Sequence, residues 1–397
     1  MTEWKEYYLD EICLDIIDCV NKTAPLSDSP TEYKMLRTSD IRNGNINLEG
    51  LNTVTQDTYE KWSRRGKLQV GDIVFTREAP LGEVGLVRQA DNIFLGQRLV
   101  LFRADPNKCD NLFLLYALMF HDNKQAIIAK GVGSTVLHLR VPECGKIKIK
   151  APELHIQKQI GQILSRYDDL ITNHQQQIKL LEEAAQRLYK EWFVDLRFPG
   201  CEKVEIVDGV PKGWKYEPLN DVAEVVMGQS PKSDYYNQDG EGLPFHQGVA
   251  SYGNRYVSNT VYASQYNRVA PEGSILFSVR APVGRLNITK YKIAIGRGLA
   301  AINAKNGKRS FLWYCLKNKF FKDDIIGNGS IFSSITKNDL LAQKLLMPEI
   351  NILSKFDEIA GNIDDKIEVL DRQLVLLQEA RDRLLPKLIS GEIEVSS

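Results

Sequence analysis

One segment of this chain returns about 200 residues downstream, and that internal duplication constrains the fold more than any other feature. Gly71-Asp72-Ile73-Val74-Phe75-Thr76-Arg77-Glu78-Ala79-Pro80-Leu81-Gly82 recurs as Gly273-Ser274-Ile275-Leu276-Phe277-Ser278-Val279-Arg280-Ala281-Pro282-Val283-Gly284. Leu95-Gly96-Gln97-Arg98-Leu99 recurs as Ile295-Gly296-Arg297-Gly298-Leu299, and Gly131-Val132-Gly133-Ser134 as Gly327-Asn328-Gly329-Ser330. The openings repeat too, Trp4-Lys5 with Leu9-Asp10 against Trp214-Lys215 with Leu219-Asn220. Such a chain carries two copies of one globular module. In each, Ile73-Val74-Phe75 and Ile275-Leu276-Phe277 read as short strands that end in Ala-Pro-x-Gly turns. Residues 112–120 and 311–320 read as single helices. The duplicated turns are taken as signatures of the fold ahead of functional loops.

A proline follows each module (Pro152, Pro348), and then a long apolar stripe. The first runs Ile156, Ile160, Ile163, Tyr167, Ile171, His174, Ile178, Leu181, Ala185, Leu188, Trp192. The second runs Ile352, Phe356, Ile359, Ile363, Ile367, Leu370, Leu374, Leu377, Arg381, Leu384, Leu388. Steps of three and four alternate, the mark of a coiled-coil seam, and both stripes carry paired fours at the same place, a stutter. A shared stutter makes the two helices structural equivalents. Each stripe spans roughly 55 Å at about 1.5 Å per residue. A lone helix cannot bury such a seam, so the two are expected to form an antiparallel coiled coil with pseudo-two-fold symmetry. That geometry suits two readers of DNA half-sites. The fold class expected is α+β: modules at 1–151 and 196–347, a central helix at 152–195 and a C-terminal helix at 348–397. His174, on the stripe, is given a core or register role. Asp168-Asp169 and Asp364-Asp365 fall off it and are assigned to a solvated helix face.

Net charge over 397 residues is zero, which on its face argues against a nucleic-acid partner. The distribution is uneven. Residues 1–151 carry 20 basic against 20 acidic groups, and residues 196–347 carry 20 against 13, a net +7. The helical segments 152–195 and 348–397 are acidic, at −2 and −5. A basic face therefore fits within the average. Six scattered cysteines without CxxC spacing point to free thiols in a reducing cytoplasm rather than zinc or disulfides. With no run of about 18 apolar residues and no basic-then-apolar start, neither a membrane span nor a signal peptide is expected.

No catalytic motif stands out against this background. An adenine methyltransferase needs an Asn-Pro-Pro-aromatic loop for the flipped base, and no two prolines are adjacent in this chain. A Walker A loop is absent. Gly296-Arg297-Gly298-Leu299-Ala300-Ala301 fits GxGxxA, but a dinucleotide site requires a helix next, and Ile302-Asn303-Ala304-Lys305-Asn306-Gly307 reads as a strand end and turn. Neither a catalytic residue nor a metal site is assigned.

Further segments carry a family resemblance. Val210-Pro211-Lys212-Gly213-Trp214 opens the second half, and Gln157-Lys158-Gln159-Ile160-Gly161-Gln162-Ile163-Leu164 opens the first long helix. Arg187-Leu188-Tyr189-Lys190-Glu191-Trp192-Phe193 closes it, and Arg383-Leu384-Leu385-Pro386-Lys387-Leu388-Ile389-Ser390-Gly391-Glu392-Ile393 closes the second. With Gly228-Gln229-Ser230-Pro231 through Leu243-Pro244-Phe245, these make the whole chain resemble the DNA-specificity subunit of type I restriction–modification systems. The resemblance implies two target recognition domains, each reading one half of a bipartite, asymmetric site on double-stranded DNA. It implies helices that set the unread spacer and dock two methyltransferase subunits, with restriction–translocase subunits joining that core. It implies a non-catalytic, cytoplasmic subunit that binds no cofactor itself, with S-adenosylmethionine, ATP and magnesium on the partner subunits.

Base and phosphate contacts come from Arg, Lys, Gln, Asn and Ser at loop tips. In module one the candidates are Asn43, Asn45, Arg64, Arg65, Lys67, Arg77, Gln97, Arg98 and Ser134. In module two they are Gln229, Ser230, Lys232, His246, Gln247, Tyr252, Asn254, Arg255, Arg280, Arg297 and Ser330. Arg77 with Arg280, and Arg98 with Arg297, rank first because they sit at or beside equivalent places. The glycine loops ending in Ser134 and Ser330 are either phosphate-binding amide nests or ordinary turns.

Overall fold

The structure, a computed structural model, describes residues 3–320 and 334–395. It divides into two compact units. The first comprises residues 1–174 with 372–397, the second 175–371, so each unit joins one module to parts of both long helices.

In the first unit a four-stranded antiparallel sheet has the order Cys13–Asp18, Leu99–Ala104, Ile73–Thr76, Val84–Leu86. Ile73, Val74, Phe75 and Thr76 are all buried, because this inner strand is covered on both faces. A three-stranded sheet places Lys34–Leu36 between Asn52–Thr53 and Ile93–Leu95, parallel to the latter. Lys5–Tyr8 pairs with Lys148–Ala151 and so closes the start of the module on its end. The helix Asn111–Met119 buries Phe113 through Leu118 on all sides, which is why its sequence shows no amphipathic period.

The second unit repeats this plan. Its four-stranded sheet runs Ala223–Met227, Leu299–Ala304, Ile275–Ser278, Leu286–Ile288. Its smaller sheet has five strands, with Leu243–His246 parallel to Ile293–Ile295. Lys215–Pro218 pairs with Lys344–Met347, and Arg309–Phe320 is the buried helix. All six cysteines are free.

The long helices are Leu154–Tyr189, extended by a π turn over Lys190–Val194, and Ile350–Ile389. Within the first unit they run antiparallel: Arg381 meets Asp168 at 2.6 Å and His174 meets Gln373 at 3.1 Å. Within the second, Tyr189, Trp192 and Phe193 of one helix pack around Phe356 of the other. The helix starts also bury a second stripe against their own modules. Gln157 is buried and its amide donates to the Lys108 and Pro152 carbonyls while its oxygen accepts from the Asp110 amide. Gly161 lies so close to the module helix that a Cβ there would stand 2.7 Å from Asp110 Oδ1 and 2.8 Å from Leu112 Cβ.

This second stripe corrects two expectations. Ile359, assigned to the seam, is exposed, and its neighbour Ala360 is buried in its place. Asp168 and Asp364, assigned to solvent, are buried, at 4% and 3% exposure. Along the start of each long helix the residue after the seam position meets the module, as Gln157, Gly161 and Asp357 do. There Asp168 accepts from the Tyr116 hydroxyl at 2.6 Å, and Asp364 from the Tyr314 hydroxyl at 2.8 Å. The counter-cations differ: Arg381 of the second long helix for Asp168, and Arg255 of the module's own loop for Asp364, each at 2.6 Å. Asp169, one residue on, is exposed and pairs with Arg88 in solvent.

Candidate functional site

The duplicated turns are built by identical bonds. The Thr76 hydroxyl donates to the Pro80 carbonyl at 2.6 Å and accepts from the Glu83 amide at 2.9 Å. The Ser278 hydroxyl donates to the Pro282 carbonyl at 2.6 Å and accepts from the Arg285 amide at 2.8 Å. The peptide bonds to Pro80 and Pro282 are cis. Beside each turn lies a second one, entered at Gly96 or Gly296. The Gly96 amide donates to the Leu36 carbonyl at 3.0 Å, and the Gly296 amide to the His246 carbonyl at 2.8 Å. A side chain at Gly96 would collide with the Leu36 carbonyl, and one at Gly298 with the Gln247 carbonyl. These glycines exist for close approach of the neighbouring strand end. The strand Leu299–Ala304 follows them, where a dinucleotide site would require a helix.

The glycine turn and the neighbouring strand end frame a depression in each unit, joined in the second unit by the Ala281-Pro282 turn. In the first it measures about 260 Å³ and is lined by Thr23, Arg37, Thr38, Gln97 and Arg98 among others. In the second it measures about 190 Å³ and is lined by Gln247, Val249, Ser278, Arg280 and Gly298 among others. The backbone bonds fix the correspondence. The Arg77 amide donates to the Arg98 carbonyl and the Val279 amide to the Gly298 carbonyl, so Arg77 matches Val279 and Glu78 matches Arg280. Arg98 matches Gly298, and Gln97 matches Arg297.

In the first unit the depression gathers Gln97, which accepts from the Thr23 hydroxyl at 3.2 Å, and Arg98, held at φ 70° and paired with Glu78 at 3.4 Å. Ser134 is exposed on the loop 131–138, which bridges to Glu78 through His138. Arg77, ranked first from sequence, is turned inward. Its Nη1 donates to the Leu139 carbonyl at 2.9 Å and its Nη2 lies 3.8 Å from Asp18, because the position matched by Val279 faces the framework. Arg65 is tied to the same Asp18 at 2.7 Å. Asn43 sits at a tight turn, its amide donating to Glu83, and Asn45 donates to the Asn43 carbonyl. Lys67 lies over the Tyr59 ring. Arg64 is exposed. None of Asn43, Asn45, Arg64 or Lys67 lines the depression.

In the second unit Gln247 and Arg280 are exposed on the depression, Arg297 is exposed one residue before its lining residue Gly298, and the Ser230 hydroxyl accepts from the Arg297 amide at 3.1 Å. Gln229 is anchored by its amide to the Ile295 carbonyl and Lys232 is exposed nearby in sequence. Asn254 is exposed on a turn. Three candidates belong to the interior. His246 is 1% exposed: its Nδ1 accepts from Ser251 at 2.6 Å and its Nε2 donates to Asn259 at 3.0 Å, and burial holds its pKa below the usual histidine value. The Tyr252 hydroxyl is enclosed and without a hydrogen-bond partner among the described residues. Arg255 is 3% exposed, paired with Asp364 and Glu182 and laid over the Trp313 ring. A turn-rich sequence marks such loops as surface, but their polar side chains face inward to anchor them. Ser330 and the glycine loop before it lie outside the described residues.

Sequence reasoning missed Arg37. It follows the strand Lys34–Leu36, and its Nε and Nη2 donate to both carboxylate oxygens of Asp40 at 3.1 and 2.9 Å. Those bonds raise the guanidinium above its ordinary pKa. The acid three residues downstream was the available signal, a helix-start pattern. Among the described residues no group of three or more His, Cys, Asp and Glu is placed to hold a metal, and no helix is long and apolar enough to cross a membrane.

Residues 1–183 and 211–372 match the model of the type I restriction modification DNA specificity domain. The putative MjaX type I restriction enzyme specificity subunit of Methanocaldococcus jannaschii is 32% identical over 398 residues, 96% of this chain and 93% of that protein. The MjaIX specificity subunit of the same organism is 27% identical over 342 residues, 82% of this chain and 78% of that protein. The crystal structure of a type I restriction-modification S subunit from M. genitalium shares the fold, with a TM-score of 0.65 at 18% identity over 98% of this chain and 96% of that one.

Proposed function

The chain belongs to the type I restriction modification DNA specificity family, and from that premise we propose that each unit reads one half of a bipartite, asymmetric site on double-stranded DNA. The chain is a specificity subunit, and its role is DNA sequence recognition. The observation that supports two separate half-sites is the contrast between framework and face. The turn bonds are the same in both units, whereas Glu78, Gln97 and Arg98 stand where Arg280, Arg297 and Gly298 stand in the other. Two readers with one scaffold and different side chains read different sequences.

In this reading the long helices set the unread spacer, and their shared stutter supports an equivalent role for both. The chain is non-catalytic. Two methyltransferase subunits dock on it, restriction–translocase subunits join that core, and S-adenosylmethionine, ATP and magnesium reside on those partners. Methylome sequencing of cells expressing this chain with its methyltransferase tests the proposal. One two-part motif with a fixed gap is expected. Removing a seven-residue repeat from both helices is expected to change the gap and leave both half-sites as they were; altered half-sites would refute the ruler. Methyl transfer by the purified chain alone would refute the non-catalytic assignment.

A further inference from the structure

Arg37 and Gln247 occupy the same place in the two units. Each is the first residue after a short strand parallel to the one that leads into the glycine turn: Leu36 pairs with Leu95, and His246 with Ile295. Each preceding carbonyl takes the amide of the turn glycine, Gly96 or Gly296. Each lines the depression of its unit.

Their chemistry differs in a way that base edges distinguish. A guanidinium has five N–H donors and no acceptor. Asp40, itself buried, engages the Nε edge of Arg37 and one hydrogen of Nη2. The outer edge, formed by Nη1 and the second hydrogen of Nη2, makes no hydrogen bond among the described residues. A fixed, paired-donor edge of this kind matches the O6 and N7 acceptors of guanine. Gln247 carries one donor group and one acceptor on its amide, which makes no hydrogen bond among the described residues. Its side chain passes over the turn, 3.0 Å from where a Cβ would stand at Gly296. A donor with an acceptor matches N7 and N6 of adenine.

We propose that the 37/247 position is a base-reading position shared by both units, with Arg37 selecting guanine in one half-site, Gln247 selecting adenine in the other, and Asp40 positioning Arg37. This rests on the reading of the chain as a two-half-site specificity subunit.

The test uses the full complex of this chain with its methyltransferase, scored for binding and methylation on a library of DNA sites varied at every position. Arg37→Ala is expected to lower discrimination at a single G·C pair of one half-site by about tenfold to a hundredfold. The other half-site stays unchanged in the same molecule and serves as the folding control. Gln247→Ala mirrors this at one A·T pair of the other half. Asp40→Asn weakens discrimination at the Arg37 base alone, and Arg37→Lys, which lacks the paired edge, does not restore it. The inference is overturned if Arg37→Ala leaves every position as selective as before, if it weakens all sequences uniformly as a phosphate contact would, or if the half-site read by the first unit contains no G·C pair. A wild-type complex that prefers no sequence would instead overturn the underlying reading.

Discussion

Replacing Asp364 with alanine removes one carboxylate and three hydrogen bonds, from Arg255 at 2.6 Å, Ser310 at 2.6 Å and Tyr314 at 2.8 Å. Arg255, at 3% exposure, is then left with Glu182 and the Tyr314 hydroxyl, each at 3.4 Å, and the faces of Trp313 and Tyr314. Breaking a buried pair by deleting one partner costs roughly 3–5 kcal/mol, since the other charge stays buried. For a unit of this size each kcal/mol moves the midpoint by about 2–4 °C, so a fall of roughly 6–20 °C is expected. Differential scanning calorimetry of the full chain measures it. Asp365→Ala, one residue on and exposed, is the control and should stay within about 0.5 kcal/mol. Asp168→Ala should cost less than Asp364→Ala, because Arg381 keeps Asp382 and more solvent. Adding Arg255→Met to Asp364→Ala removes the stranded charge and should recover more than half of the deficit. A cost below about 1 kcal/mol for Asp364→Ala, or no recovery in the double variant, would refute the account of Asp364 as the clasp between helix and module.

Two further outcomes follow from the same structure. Asp357 accepts the Phe311 amide at 2.9 Å, and burial first of all raises its carboxyl above the usual aspartate pKa. A raised acid is a penalty carried at neutral pH and relieved as pH falls through the folded value. Asp357→Asn keeps an acceptor there and should be the more stable protein at pH 7 in denaturant titrations, the gap closing below the ordinary aspartate range; a gap that widens in acid would contradict this. Arg280→Ala and Arg297→Ala should each weaken DNA binding and lower the slope of log affinity against log salt by about one for each phosphate the arginine neutralises, measured by fluorescence anisotropy; an unchanged slope would remove that residue from the phosphate-binding set.

The duplication and the two long helices were legible because they are periodic. The strands around Ile73 and Ile275, the buried helices and the helix pairs of each unit all follow from runs and steps that a single sequence displays. The second stripe was not legible. Gln157, Gly161 and Asp168 are polar or small, and their burial depends on the module helix that faces them. A seam pattern assigns such residues to solvent because it counts only apolar positions. The site was half legible for a related reason. Gln97, Arg98, Gln247 and Arg280 line the depressions, as loop chemistry suggests, and Arg297 is exposed one residue from a lining position. His246, Tyr252, Arg255 and Arg77 occupy the same kinds of loop but anchor them from inside. Composition alone does not separate a residue that holds a loop from one that the loop presents.

The two copies show where divergence is free and where it must be compensated. The amide that opens the buried helix needs an acceptor in each unit. Phe113 takes it from Asp110, its own cap, at 2.9 Å, and Gly161 on the long helix leaves room for that carboxylate. Phe311 takes it at 2.9 Å from Asp357, the long-helix residue that stands where Gly161 stands, while Lys308 fills the place of the cap. One carboxylate has changed sides and the bond is kept. The same holds for Asp168 and Asp364, whose cation comes from the second long helix in one unit and from a module loop in the other. Glu78 and Arg98 form a salt bridge in one unit, and the other replaces the pair with Arg280 and Gly298, so that reversal is compensated as well. Gln97 with Arg297 adds a charge for which no salt-bridge partner stands among the described residues. Freedom from compensation is what a surface that answers to an outside partner is expected to show, and the 97/297 position, exposed at Arg297, shows it.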